Sequence, residues 1–483
     1  MVYNSIRKIK VIYSYIWRAL KSMDRFDIKE LKTGDHIHFI GIGGISMSGI
    51  AQIMLQNGFK VTGSDRCESN ITSKLRILGA EIYIGHDSRN VEGANLIVYT
   101  AAVHGDNPEI IAAKQKGIRL IDRAECLGAI MKNYKNCIGV AGTHGKTTTT
   151  SMLAHALIYA ELDPTISIGG ELDLIDGNIR TGSNEYFVTE ACEYTNSFLK
   201  FFPTISLITN IEEDHLDFFK DLDDIIESFR SFALLSRDTG YTVAWGEDEN
   251  VLKALKGTDC RVITYGIGDF DYSAENIIYI DGYPRFDCFE KGKFLCSLTL
   301  NVPGEHNIRN ALATIAVCRI LDADIEKCTA GIESFKGTHR RFEKKGSCNG
   351  AVVIDDYAHH PTEIKATLSA ASSMPHKRIV CIFEPHTYTR TKSLWSEFLE
   401  AFTLADEVIL SDIYAARELP DGETTSERLA EDMKKLGVNA KFIKGFDKIV
   451  EYTKKTVGTG DIVFTMGAGT VTQLGPMICS DNV

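Results

Sequence analysis

Short apolar runs recur along this chain. Most are followed by a glycine or polar turn and then by a helix-compatible segment. Residues 38–42 (HFIGI), 59–63 (FKVTG), 81–85, 95–100, 137–141 (CIGVA), 186–190 (YFVTE) and 205–210 (ISLITN) read as strands. So do residues 241–245, 261–265, 351–355 (AVVID), 378–383 (RIVCIF), 407–411 and 461–466. Helices are expected over 46–56, 73–78, 146–160 and 222–235, and a hairpin region over 277–300. Strands alternating with helices predict an α/β protein with mostly parallel sheets. The polar stretch GTHRRFE, residues 337–343, reads as a linker. The expected organisation is an extension (1–34), a Rossmann-like domain (35–133), a central phosphate-loop-type domain (134–336) and a second Rossmann-like domain (337–483).

Two of the turns carry chemistry. The run CIGVA breaks at Gly142, Thr143, His144 and Gly145, and a helix opens at Lys146, Thr147 and Thr148. A strand, a glycine turn and a helix N-terminus make an anion site, because backbone N–H groups and the helix dipole converge there. Lys146 adds a full charge, and Thr147 a hydroxyl suited to Mg²⁺. The loop reads GTxGKT rather than strict GxxxxGK[ST], since Val140 stands where the first glycine would be. The second turn, after residues 38–42, holds Gly41, Gly43 and Gly44, then Ser46, Met47 and Ser48. The strand after it ends at Asp65. This is a βαβ unit for a diphosphate-bearing nucleotide. Alone it suggests a dinucleotide, but the third glycine of GxGxxG is missing.

Composition narrows the class. A net charge of −12 argues against a nucleic-acid partner. Twelve cysteines without a CxxC pair fit reduced thiols in the cytoplasm. No apolar run is long enough to span a membrane. The first 22 residues hold five Lys or Arg and no acid. They fit a basic amphipathic helix on a membrane surface, a signal-like segment, or a flexible extension with Met23 as the start.

Acids and histidines gather at later strand ends, where open α/β sheets bind ligands. Glu190 and His215 are placed to hold Mg²⁺ together with Thr147, against the plainer reading of solvated strand ends. Asn310, one helical turn after Asn307, can pair with an adenine edge or merely belong to a helix start. Tyr357, His359, His386 and Arg390 lie in two loops that follow adjacent strands. Arg390 suits a carboxylate gripped by two parallel hydrogen bonds.

Together these motifs resemble the ATP-dependent Mur ligases of peptidoglycan synthesis. The likeness runs from about His36 to the C-terminus through FIGIGGISMSG, GTHGKTT, TEACEYTNSFL, NIEEDHLD, PGEHNIRNALA, GTHRRFE, DDYAHHPTEI and EPHTYTRT, in that order. It is strongest to the branch that joins L-alanine to the carboxylate of UDP-N-acetylmuramate. The resemblance implies three domains that hold UDP-sugar, ATP and amino acid. Gly41 to Ser48 and Asp65 would face the UDP moiety. Residues 142–148 would bind ATP phosphates, Asn307 and Asn310 adenine, and Arg341 the ribose and phosphates. Lys146, Glu190 and His215 would be catalytic, the last two with Thr147 around Mg²⁺. Tyr357, His359, His386 and Arg390 would frame the amino acid. The cofactors implied are ATP and Mg²⁺, and the state a monomer or dimer. Two departures stand out: many relatives read EADESD where this chain has Cys192, and many read HRYTR where it has Thr387. Rival readings are a sister ligase that attaches a whole tripeptide, a dinucleotide-dependent oxidoreductase, and a non-catalytic nucleotide-binding regulator.

Overall fold

The structure, a computed structural model, describes residues 26–480 apart from 101, 239 and 417. Expectations for residues 1–25 lie outside these. The chain divides into two compact units, one comprising residues up to 212, 222–264 and 316–324, the other 213–221, 265–315 and 325 onward.

The first unit opens with a five-stranded parallel sheet in the order β3-β2-β1-β4-β5. Its strands are β1 (His36–Ile40), β2 (Lys60–Asp65), β3 (Glu81–Ile84), β4 (Leu96–Tyr99) and β5 (Arg119–Asp122). The reversal of strand order at β1 places the Gly41 turn at the topological switch point. A second set of strands follows: β6 (Asn136–Ala141), β7 (Thr165–Leu172), β8 (Gly177–Arg180), β9 (Tyr186–Glu190), β10 (Ile205–Ile208) and β11 (Tyr241–Trp245). They run β11-β10-β6-β9-β7-β8 and are parallel except for β8. The helices Lys146–Tyr159 and Leu222–Leu235 pack on this set, and Phe198 stacks on Phe232 and meets Phe229 edge-on, both from the second helix. Cys137 to Ala141 are buried, as both faces of a parallel sheet must be.

The second unit holds a meander and a C-terminal sheet. Strand β12 (Val262–Gly266) enters it at Tyr265, and Tyr265 and Gly266 pair with β13 (Tyr272–Ile280). β14 (Tyr283–Glu290) and β15 (Lys293–Thr299) continue antiparallel. The region expected as a hairpin is thus three strands. Both its turns have paired positive φ, at Asp281 and Gly282 and at Lys291 and Gly292, the backbone that two-residue hairpins need. The C-terminal strands are β16 (Glu343–Cys348), β17 (Ala351–Asp356), β18 (Arg378–Phe383), β19 (Glu407–Leu410), β20 (Ala440–Phe442) and β21 (Asp461–Met466). Their order is β16-β17-β21-β18-β19-β20, parallel except for β16. β16 starts inside the stretch expected as a linker.

Two boundaries move. The helix expected from residue 73 begins at Asn70, because Ser69 accepts the Thr72 amide at 3.2 Å and caps it. The extension expected through residue 34 ends sooner. Phe26 and Ile28 are buried, Arg119 lies over the Phe26 ring at 4.7 Å, and Glu30 pairs with Arg119 at 2.7 Å. Among the described residues no helix is long and apolar enough to cross a membrane.

Replacing Phe26 by Ala should cost about 3 kcal/mol, the usual penalty for emptying a buried aromatic site. Thermal unfolding checks this, and an unchanged midpoint would place residues 26–34 outside the folded core.

Candidate active site

In the first unit the turn after β6 is shaped by what lies beside it. Gly142 has φ 148°, and a Cβ there would sit 1.8 Å from Thr209 Oγ1, so no side chain fits. The end of β10 pins the loop. Asn210 Oδ1 accepts the His144 amide at 2.8 Å, its backbone carbonyl accepts the Thr143 amide at 3.1 Å, and Thr209 donates to the His144 carbonyl at 2.6 Å. Gly145, at φ 82°, turns the chain into the helix from Lys146. The amides of residues 145–148 head that helix and have no intrahelical acceptor. His144 Nε2 lies 3.5 Å from Glu212.

The Lys146 ammonium folds back over the loop. It donates to the carbonyls of Gly142 and Thr143 and lies 3.1 Å from both carboxylate oxygens of Glu193. Burial opposes its charge, but the facing Glu193 outweighs this and the pKa is raised. Cys192, beside this pair, has its thiol pushed up to about 11, first by burial and then by Glu193.

Thr147 and Glu190 meet at one stretch of β7. Glu190 Oε1 accepts the Gly169 amide at 2.6 Å, and a Cβ on Gly170 would touch the Thr147 methyl at 3.2 Å. Both offer oxygen, the donor type that Mg²⁺ takes.

The other glycine turn is held by Asp65. One of its oxygens accepts the Gly43 amide at 2.8 Å, and a Cβ on Gly43 would lie 2.8 Å from that oxygen. Gly41 and Ile42 donate to the Ser64 carbonyl at 2.8 and 3.0 Å. Gly44 is exposed and Ser46 half-buried. Met47 and Ser48 are buried, and Ser48 donates to the Ile45 carbonyl at 2.7 Å.

The remaining candidates belong to the second unit. Tyr357, His359, His386 and Arg390 come together beyond β17 and β18. The Tyr357 and His359 rings are 5.4 Å apart, those of His359 and His386 5.9 Å, and Arg390 Nη1 lies 3.0 Å from His386 Nδ1. Arg340 and Arg341 stand over Tyr357 at 4.7 and 4.9 Å. Arg341 is also 3.6 Å from Glu363, which lies 3.3 Å from His359. Burial lowers His359 to about 3, with Glu363 opposing and Arg390 assisting. Burial and then Arg390 lower His386 to about 4. Both are neutral near pH 7.

Arg390 rides on a short helix capped by Thr387, whose hydroxyl accepts the Arg390 amide at 3.4 Å. Thr387 therefore has a structural task of its own, as the cap of that helix. Asn307 donates to the Pro303 carbonyl at 2.7 Å, and Asn310 donates to Asn307 Oδ1 at 3.0 Å. His215 has φ 54° and lies 3.8 Å from Asp214 Oδ2. Sequence reading gave no role to Glu193, Asn210, Asp214 or Glu363. Only their places just after strands, or one turn into the next helix, hinted at them.

Family models match over residues 36–135 (Mur ligase family, catalytic domain), 140–318 (Mur ligase middle domain) and 340–469 (Mur ligase, glutamate ligase domain). The chain belongs to the Mur ligase family, with its three α/β domains. It is 53% identical over 443 residues to the UDP-N-acetylmuramate–L-alanine ligase of Clostridium botulinum (strain Loch Maree), covering 92% of this chain and 97% of that one. Among solved structures, the UDP-N-acetylmuramate–alanine ligase of Thermotoga maritima matches with TM-score 0.77 at 32% identity, over 92% of this chain and 98% of that one. A murein peptide ligase of Psychrobacter arcticus matches with TM-score 0.67 at 25% identity, over the same shares.

Two outcomes follow. Gly142→Ala should abolish ATP-dependent turnover in a chain that still folds, since the new methyl collides with the Thr209 hydroxyl and the loop must move. Retained ATP binding, read by calorimetry, would show that the loop tolerates it. The second concerns pH. His359 titrates far below the unfolded value of about 6.5, so the unfolded chain takes a proton that the folded one refuses. Stability should then fall as pH drops from about 6.5 toward 4. His359→Asn should flatten part of that fall in urea titrations at several pH values, and an unchanged slope would show that His359 is accessible to protons in the fold.

Proposed function

We infer that this chain is an ATP-dependent ligase that joins L-alanine to the carboxylate of UDP-N-acetylmuramate in peptidoglycan synthesis. The observation that carries this reading is the match at about half identity, over nearly the whole of both chains, to ligases of that name. The site chemistry fits it. The sugar carboxylate attacks the γ-phosphorus of ATP, ADP leaves and an acyl phosphate forms. The alanine amine then attacks the acyl carbon and phosphate departs.

An anionic nucleophile approaching a triphosphate is the electrostatic obstacle. Lys146 and the amides of residues 145–148 oppose it, and positioned charge of this kind supplies much of the rate in phosphoryl transfer. Lys146 exchanges its Glu193 contact for a phosphate oxygen. Thr147 and Glu190 would hold Mg²⁺, with His215 as the further ligand the resemblance points to. Bound there, the ion supplies neutralisation of phosphate charge. The Gly41–Ser46 turn and Asp65 would take the UDP moiety, and Asn307, Asn310 and Arg341 the nucleoside end of ATP. Arg390 grips the α-carboxylate of alanine. His359, neutral near pH 7 and donating from Nδ1 to the Tyr357 carbonyl, accepts a hydrogen bond from the alanine amine at Nε2.

The test is phosphate release from ATP and UDP-N-acetylmuramate with L-alanine, glycine, L-serine, D-glutamate or an alanyl-glutamyl-diaminopimelate tripeptide. L-alanine should be used best. Release with the tripeptide and not with alanine would assign the chain to the sister ligases. Lys146→Ala should reduce turnover by about 10²-fold or more, and near-normal turnover in a folded variant would refute the phosphate-loop assignment.

A further inference from the structure

Arg390 carries five N–H hydrogens in a planar fork. Nε and Nη2 lie 3.3 and 3.0 Å from Oδ1 of Asp214, which uses the side edge of the fork. Nη1 lies 3.0 Å from His386 Nδ1. The neutral His386 accepts there, so its own proton sits on Nε2. Three hydrogens are thereby engaged. The two that are left, one on each terminal nitrogen, have no partner among the described residues. Two donors on neighbouring nitrogens of one planar fork are what a carboxylate needs for two parallel bonds. The pair is largely enclosed, with side chains 13% and 11% exposed for Arg390 and Asp214. Asp214 is itself anchored, since Oδ1 accepts the His215 amide at 2.7 Å.

We propose that Asp214 is a positioning residue that fixes the fork of Arg390 and leaves its free end as the seat of the amino-acid carboxylate. This rests on the reading of Arg390 as the carboxylate grip. Charge gives Asp214 a second effect. Arg390 and Asp214 sum to zero, so a zwitterion seated on them leaves the site balanced, whereas a plain carboxylate brings an uncompensated negative charge into an enclosed space. The pair therefore selects amino acids over simple carboxylic acids of the same size. Asp214 does this through Arg390 and through its field, without touching the reacting atoms.

The experiment measures KM for each of the three substrates, kcat, and inhibition by propionate against L-alanine, in wild type and in Asp214→Asn, Asp214→Glu and Arg390→Lys. In Asp214→Asn, KM for L-alanine should rise about tenfold or more, with KM for ATP and UDP-N-acetylmuramate unchanged and kcat affected less. Propionate should compete relatively better, because the site has gained a net positive charge. Asp214→Glu should recover part of the alanine affinity. Equal losses for all three substrates would mark Asp214 as merely structural. A raised Mg²⁺ requirement with unchanged alanine KM would move it to the metal. Either result overturns the proposal. If Arg390→Lys leaves alanine KM unchanged, the carboxylate reading itself falls. If only Asp214→Asn is silent, the carboxylate reading stands and the positioning role does not.

Discussion

A strand covered on both faces is a costly place for a charged side chain except at its ends. β6 and β18, whose central residues are sealed from solvent, are strands of this kind. Polar chemistry is pushed to the turns beyond them, and there the enclosed surroundings make every bare charge expensive. The charges accordingly come in pairs: Lys146 with Glu193, Arg390 with Asp214, Arg341 with Glu363. In open water such pairs would contribute about 0–1 kcal/mol each. Enclosed, losing one partner is costly, so the apolar strands fix both the position and the charge state of the groups at their ends.

Pairing before any ligand arrives changes what binding means. A phosphate arriving at Lys146 would exchange one anion for another and would not neutralise a bare cation. Affinity is lower than a naked ammonium would give, while the ammonium is already placed over the loop. The fork of Arg390 is likewise held in a single direction, so the ordering cost of a long side chain is met in folding rather than in binding.

The sequence made the sheets, the two glycine turns and the two polar loops of the C-terminal domain readable, because each depends on local signals: an apolar run, a glycine at a tight turn, a histidine after a strand. What it did not disclose are partnerships across the fold. In NIEEDHLD three acids and a histidine stand side by side, and nothing local says that Asp214 faces Arg390, 176 positions away. Glu193 survived as one acid of a motif, but its contact with Lys146 depends on how β9 lies against β6. The meander of β13 to β15 and the β7–β8 hairpin were missed in part, although Asp281-Gly282 and Asp176-Gly177 carried the usual turn residues. Phe26 and Ile28 were misplaced because two apolar residues ahead of a glycine show no period to read.

Cys192 gives the surroundings of Lys146 an unusual chemical temperament. Oxidants and alkylating agents attack the thiolate, and a thiol held near 11 is almost wholly protonated in a cell. The sulfur beside Lys146 is therefore a quiet one, held mostly in the protonated form that such reagents attack slowly. Exposed Cys67, elsewhere in the same unit, meets such reagents first. Damage by peroxide would thus reach the surface near Asp65 before it reached the loop around Lys146.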